Sequence, residues 1–480
     1  MAPRKQRPAH KSPSAGTVAE TPAGKIPPLR DRLRKIFYSG QTRPLAWRRA
    51  QLQALLGMLE ENEEAIQQAL AERMAKPPFE AWLSETAMVA AHLRHTLAHL
   101  RRWMRPRRTG LPLLLWPGRG RVLPEPKGVV LILGPWNYPL QMTLGPLVDA
   151  LAAGNCVVLK PSEKAPEVSR LLARLIPRYL DPAVAVVEGG ASTAQALLEH
   201  PWDHVFYTGG EAVARLVYAA AAQHLTPVTL ELGGKNPALV LADAPLAITA
   251  QRIAWGRFLN AGQVCLSPDY VLVEQRVEQA LLAELKTAVE RLFGPDPAKS
   301  SDYGRMVDDG HFRRVAALMS GGRPVTGGQT DPKTRYIAPT VLTRVNLKSP
   351  LMREEVFGPL LPVIPVKGLD QALEFVRERP KPLALYLFTR SRHARRRAAL
   401  ETSSGALVLN DTVVHIAGGE LPFGGVGASG LGAYHGRAGF LEFSHQKPVL
   451  LRLFHPNLNF HHPPFRPWKE WILRRVFRRS

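Results

Sequence analysis

A thiol that could attack a carbonyl carbon stands at Cys265, in GQVCLSPDY (262–270). Gly262 and Pro268 bracket a loop expected to follow a helix, and small neighbours leave a substrate room to reach the sulfur. A thiolate so placed is a nucleophile. Taken alone, a free cysteine defaults to a small buried hydrophobe, and that reading is kept for Cys156, inside the apolar run NCVVLK (155–160). A second candidate is Glu231 in VTLELGGKNP (228–237), at the end of a strand and before a Gly-Gly turn. In a partly apolar pocket its pKa would rise toward that of a useful general base; at a solvated edge it would do nothing. A third is Asn137 in GPWNYP (134–139), where the amide either serves its own turn or offers an N–H to a developing oxyanion.

Two further segments suit a dinucleotide. LKPSEKAP (159–166) closes a strand with Lys160 and Glu163, and an acid at a strand end is the usual grip on a ribose 2′-hydroxyl. FYTGGEAVARLV (206–217) reads as strand, Gly209-Gly210 turn and helix, the arrangement that aims backbone N–H groups at a pyrophosphate. None of these segments is specific by itself.

The elements that must hold them are legible as patterns. Residues 30–104 read as helical, with one helix over 48–76 and another over 79–104, separated by Pro77 and Pro78. Residues 106–127 read as an extended ribbon. From 128 the chain alternates apolar runs (128–134, 155–160, 184–190, 204–210) with helices over 139–153, 165–180 and 192–200. That alternation is the mark of a parallel sheet covered on both faces. It resumes with a strand at 237–242, a helix at 245–261, a strand at 270–274, a helix at 276–293, and strands near 341–345 and 360–366.

Composition narrows the function further. The chain has 480 residues, 45% of them hydrophobic, with 63 Lys and Arg against 40 Asp and Glu, a net charge of +23. So basic a chain invites a polyanion. The excess is terminal, however: residues 1–50 carry +10 and residues 451–480 carry +6, leaving +7 for the 400 between. A nucleic-acid-binding body is therefore not expected. Two cysteines exclude a disulfide framework and a cysteine-rich zinc site, and no metal is expected. They fit a reducing cytoplasm. No apolar run reaches the roughly 18 residues that span a bilayer.

In their order and spacing, GPWNYP, LKPSE, YTGG, LELGGKNP, GQVC, EEVFGP (354–359) and LPFGGVGASG (421–430) resemble the aldehyde dehydrogenase superfamily over about 35–448. GLGAYHGRAGFLEFSHQKP (430–448) is similar to its class 3 subgroup, which includes fatty-aldehyde and aromatic-aldehyde dehydrogenases. The resemblance implies an α/β fold: a Rossmann-like NAD-binding domain, an α/β catalytic domain and a small β oligomerisation ribbon. On this chain the parts are a disordered basic leader (1–29), the NAD-binding domain (30–233, with the ribbon at 106–127), the catalytic domain (234–430), a return segment with an oligomerisation strand (431–448) and a basic aromatic tail (449–480). It implies Cys265 as nucleophile, Asn137 with the Cys265 backbone N–H as oxyanion hole, and Glu231 as the base that releases the acid from a thioester. Lys160 and Glu163 match the adenine-ribose contacts, Gly209 and Gly210 the phosphate loop, and Glu355 the nicotinamide-ribose contact. Phe357 and Trp136 belong beside the cofactor. Glu163 favours NAD without excluding NADP. Gly210, Glu211 and Ala214 depart from the usual phosphate loop, and Glu211 is a poor neighbour for a pyrophosphate. Asn410 and Asp411 fit substrate-pocket loops, and His435 reads as a satisfied interdomain histidine.

The expected reaction is oxidation of a long-chain or aromatic aldehyde to its acid, by a homodimer. An acylating dehydrogenase is the first alternative, and Glu231 argues against it. A catalytically idle scaffold binding through its basic ends is the second, and the intact Cys265, Glu231 and Asn137 argue against that. PWKEWILRRVFRRS (467–480) places Trp468, Ile472 and Val476 on one helix face among basic residues. That pattern suits an interfacial helix on anionic lipid, at the inner face of a membrane.

Overall fold

The computed structural model describes residues 18–112, 115–456 and 461–477. Its frame is two parallel sheets. The first has six strands in the order Gly430–Leu431, Val228–Glu231, His204–Thr208, Val129–Leu133, Cys156–Lys160 and Val184–Val186. All neighbours run parallel except the short Gly430–Leu431, which pairs antiparallel with Leu230 and Glu231. The second has seven, Arg323–Thr326, Thr340–Thr343, Leu360–Val366, Tyr270–Glu274, Pro237–Val240, Ala384–Phe388 and Ala406–Leu409, with only Arg323–Thr326 antiparallel. A three-stranded antiparallel ribbon joins Arg107–Thr109, Gly118–Pro126 and Ser444–Arg452.

The apolar runs become strands because helices cover both faces. Every residue of Val129–Leu133, Cys156–Lys160 and His204–Thr208 is buried, so no polar alternation is needed. Between the first two strands, all thirteen residues of the helix Gln141–Ala153 are buried as well. It ends at Gly154, at φ +90°, the left-handed cap that glycine adopts without a Cβ penalty. The residues that overrun the expected strands, such as Gly209 and Gly210, form the loops at the strands' carboxyl ends.

Several expectations need correction. The helix expected over 48–76 is two, Leu45–Glu61 and Glu63–Met74. Asn62 breaks them, its Nδ2 donating to the Met58 carbonyl and the Tyr179 hydroxyl. The helix expected over 79–104 contains a π-type stretch at Trp82–Ala87 before the regular turns of Met88–Trp103. The helix expected over 245–261 stops at Phe258, and Asn260 and Ala261 take left-handed backbone. The leader ends earlier than residue 29: Ile26 opens the helix Ile26–Tyr38. Before it, the Glu20 carboxylate accepts from the Gly190 N–H and the Thr193 hydroxyl. Residues 1–17 lie outside the described residues. The strand expected to close at 448 runs on to Arg452, taking four residues assigned to the tail.

Candidate active site

Strands of a parallel sheet end together, and the loops leaving them converge. Here the carboxyl ends of Val129–Leu133, Cys156–Lys160, His204–Thr208 and Val228–Glu231 open on a cleft of about 1080 Å³. The ten residues assigned above to catalysis or cofactor binding all line it: Cys265, Glu231, Asn137, Lys160, Glu163, Gly209, Gly210, Glu355, Phe357 and Trp136. They come from six separate segments. Asn410, Asp411 and His435 do not line this cleft.

Glu231 is the last residue of its strand, 2% exposed, and neither carboxylate oxygen has a hydrogen-bond partner. Burial, with a smaller contribution from Glu442, holds its pKa well above the ordinary carboxyl range. A neutral carboxyl is what such a site permits, and it becomes a base when it loses that proton. The Cys265 side chain keeps partial exposure. Desolvation first, then the charges of Glu355 and Glu231, push its thiol up to about 12. Glu355 is itself raised to about 8, by burial and then by Asp269, against the pull of the Gly234 N–H, Lys235 and Arg257.

The cysteine loop is fixed from three sides. Asn236 Nδ2 donates to the carbonyls of Cys265 (2.7 Å) and Ser267 (3.1 Å), while its Oδ1 accepts from the Ala384 N–H. The Tyr386 hydroxyl donates to the Leu266 carbonyl. Asp269 gathers the remaining segments. It accepts from Lys235 Nζ (2.5 Å), Arg257 Nη1 (3.1 Å) and the Val356 N–H (3.1 Å). The strand-end turn, the cysteine loop and the EEVFGP segment therefore share one buried carboxylate.

Asn137, which lines the cleft, donates one amide hydrogen to the Gln263 carbonyl at 3.1 Å, and its amide carries a second. Its backbone carbonyl accepts from Lys76 Nζ and Asn260 Nδ2. Lys76 pairs at 2.6 Å with Glu85, both fully buried. The other Glu85 oxygen accepts the N–H groups of Leu140 and Gln141, which satisfies the N-terminus of the helix behind Asn137.

At the other end of the cleft, Lys160 Nζ meets Glu163 Oε2 at 2.8 Å. For Glu163, burial is outweighed by this hydrogen bond and charge, so its carboxyl is held below the ordinary value. Gly209 and Gly210 lead into the helix Glu211–Ala222, whose first N–H groups have no intrahelical acceptor. Glu211 does not line the cleft; it pairs with Arg215 one turn on. Ala214 is buried, packed in the core under the sheet. At Gly233 an added Cβ would lie 2.2 Å from the Glu355 carboxylate, so a larger residue there would displace that side chain.

Sequence reasoning missed His311, Lys76, Glu85 and Asp269. The His311 ring packs edge-on to Trp136 (5.4 Å) and Phe357 (5.9 Å), and its Nε2 bonds the Phe357 carbonyl at 2.7 Å. Burial lowers its pKa to about 4, so it is a neutral part of an aromatic wall. No local motif marks these four, because their partners lie 9 to 175 residues away.

A model of the aldehyde dehydrogenase family matches residues 7–449. Human aldehyde dehydrogenase family 3 member B1 is 47% identical over 422 residues, covering 88% of this chain and 90% of that protein. The mouse dimeric NADP-preferring aldehyde dehydrogenase is 44% identical over 423 residues, covering 88% and 93%. Among solved structures, the substrate-bound state of Staphylococcus aureus AldH is 38% identical with a TM-score of 0.91, covering 94% of this chain and 99% of that one.

Proposed function

The chain belongs to the aldehyde dehydrogenase family and is an NAD(P)-dependent aldehyde dehydrogenase; from that premise we propose how its residues divide the work. One observation carries the reading: a cysteine open to the cleft and a buried carboxyl without partners face the same space.

The cleft fits the dinucleotide. It has a helix N-terminus for phosphates, a Gly210 with nothing near its missing Cβ, and a lysine-paired carboxylate for a ribose hydroxyl. Lys160, Glu163, Gly209 and Gly210 hold the adenosine and phosphate half, and Glu355, Trp136 and Phe357 the nicotinamide half. When bound, NAD(P) supplies the hydride acceptor. Residues 30–233 form the cofactor domain and 234–430 the catalytic one.

The Cys265 thiol passes its proton to water and its sulfur bonds the aldehyde carbon. The carbonyl oxygen takes the negative charge and is held by the free Asn137 N–H and the Cys265 backbone N–H. After oxidation the acyl group remains as a thioester. Glu231 takes a proton from water, which attacks the thioester carbon, and the C–S bond breaks to give the carboxylic acid and the thiol. Replacing Glu231 with Gln removes that base and slows turnover by about 10²–10⁴. Asn137→Ala costs about 10²–10³ in kcat. The substrate is a long-chain aliphatic or aromatic aldehyde. A panel of such aldehydes, followed by NADH absorbance, tests the assignment. Turnover confined to short, hydrophilic aldehydes would remove it.

The enzyme works as a homodimer, in the cytoplasm against the inner face of a membrane. In support of the dimer, the strand Ser444–Arg452 presents Val449, Leu450 and Leu451 half-exposed. The membrane reading rests on Pro467–Phe477, where Trp468, Trp471 and Phe477 are exposed beside Arg474 and Arg475. No described helix is long and apolar enough to cross a membrane. The Val476 side chain and residues 478–480 lie outside the described residues.

A further inference from the structure

The helix Met88–Trp103 carries a second group of side chains with its own chemistry, away from the cleft. His95 and His99 are one turn apart on the same face, with ring centroids 4.3 Å apart. Facing them is Glu420, on the loop that follows the short helical turn Val414–Ala417. Among the described residues these are the one group of three metal-ligating side chains whose donor atoms lie within 4.8 Å of one another. We propose that His95, His99 and Glu420 bind a divalent transition-metal ion, with zinc the best match to their donor set.

Three features support a site rather than a chance meeting. The spacing is the i, i+4 pair that lets two imidazoles reach one ion from a helix face. Next, His99 Nδ1 lies 2.8 Å from the His95 carbonyl. That bond puts the hydrogen on Nδ1 and leaves the Nε2 lone pair free, which is how metal-bound histidines are usually oriented. Trp103 stacks on the same ring, 5.8 Å away and 17° from parallel. Finally, glycines on the loop and on the segment packed against it let the two come close. A Cβ at Gly419 would lie 3.3 Å from His95 Cγ, and one at Gly436 only 2.1 Å from the Gly419 carbonyl oxygen.

The distances suit a tetrahedral ion. Zinc–ligand bonds of about 2.0–2.1 Å separate neighbouring donor atoms by about 3.3 Å. His95 Nε2 and Glu420 Oε1 are already 3.0 Å apart, and the third donor, within 4.8 Å of both, need move in by no more than about 1.5 Å. Two neutral imidazoles and a carboxylate leave a fourth position for water. The ion would tie the helix to the 414–420 loop. That loop carries His415, whose ring lies 6.5 Å from Tyr386, and the Tyr386 hydroxyl bonds Leu266 beside Cys265. The site would brace the wall behind the reactive thiol without touching substrate.

The test is Zn²⁺ titration by calorimetry on the full-length chain in a Cys265→Ser background, which removes the reactive thiol as a competing ligand. One Zn²⁺ per chain is expected. His99→Ala and Glu420→Gln should each weaken binding at least tenfold. The double variant His461→Ala, His462→Ala, which removes the adjacent surface pair, should bind as the parent does. Glu420 is an exposed loop residue, so its variant stays informative if His99→Ala does not fold. Co²⁺ in place of zinc should give visible d–d bands that Glu420→Gln alters. Parent-like binding by both His99→Ala and Glu420→Gln, or loss of binding with His461 and His462, overturns the proposal.

Discussion

Two buried acids and a thiol share one desolvated space, and both acids raise the thiol's pKa. This fixes the pH behaviour. The Cys265 thiol, pushed up to about 12 by burial, Glu355 and Glu231, is protonated at neutral pH, so its alkylation should speed up as pH rises. Removing one negative neighbour should ease ionisation. In Glu355→Gln, the pH profile of iodoacetamide inactivation should move to lower pH than in wild type; an unmoved profile contradicts the charge coupling. Glu231 makes a second prediction. Its folded pKa lies above its unfolded one, so the native state binds the extra proton in the window between them. Stability therefore falls as pH rises from about 4.5. Glu231→Gln lacks this loss, and its thermal midpoint should gain on wild type progressively between pH 5 and 8. At this scale the reading of the sequence reached far: Cys265, Glu231 and Asn137 each sit in short segments of unusual composition. His311 stayed hidden because its partners, Trp136 and Phe357, are 175 residues before and 46 after it.

Elements position these groups through shared buried polar atoms rather than through long loops. Asp269 ties Lys235, Arg257 and Val356 together; Glu85 ties Lys76 to the helix Gln141–Ala153. Breaking a buried pair from one side leaves an uncompensated charge, at about 3–5 kcal/mol. Glu85→Ala should therefore lower the denaturant midpoint by that equivalent, whereas a loss below about 1 kcal/mol would show the pair to be dispensable. Gly233→Ala should reduce cofactor affinity with little change in stability, measured by NADH fluorescence, since its Cβ meets a side-chain carboxylate rather than backbone. Strands were legible in the sequence because burial on both faces turns them into unbroken apolar runs. Helix breaks were not. Asn62 is tolerable inside a helix, and its choice of the Tyr179 hydroxyl is a contact 117 residues away. The pairing of Gly430 with Glu231 is equally non-local, and it carries the segment after the second sheet back to the first.

On the scale of the whole molecule, a chain of net charge +23 carries most of that excess in its first 50 and last 30 residues, and the chemistry of the cleft needs no polyanion but the dinucleotide. The C-terminal helix Pro467–Phe477 pairs exposed tryptophans with arginines. Deleting residues 453–480 should abolish flotation with phosphatidylserine vesicles at low salt and leave NADH production from a soluble aldehyde intact. Equal flotation of the two forms would sink the membrane role. The central claim is covalent: Cys265 carries the acyl group and Glu231 brings the water that removes it. The most direct measurement is intact-mass analysis of Glu231→Gln mixed with aldehyde and NAD. The account predicts one acyl group per chain, mapped to the peptide holding Cys265, together with about one equivalent of NADH. No adduct at Cys265, despite NADH formation by the wild type, would contradict it.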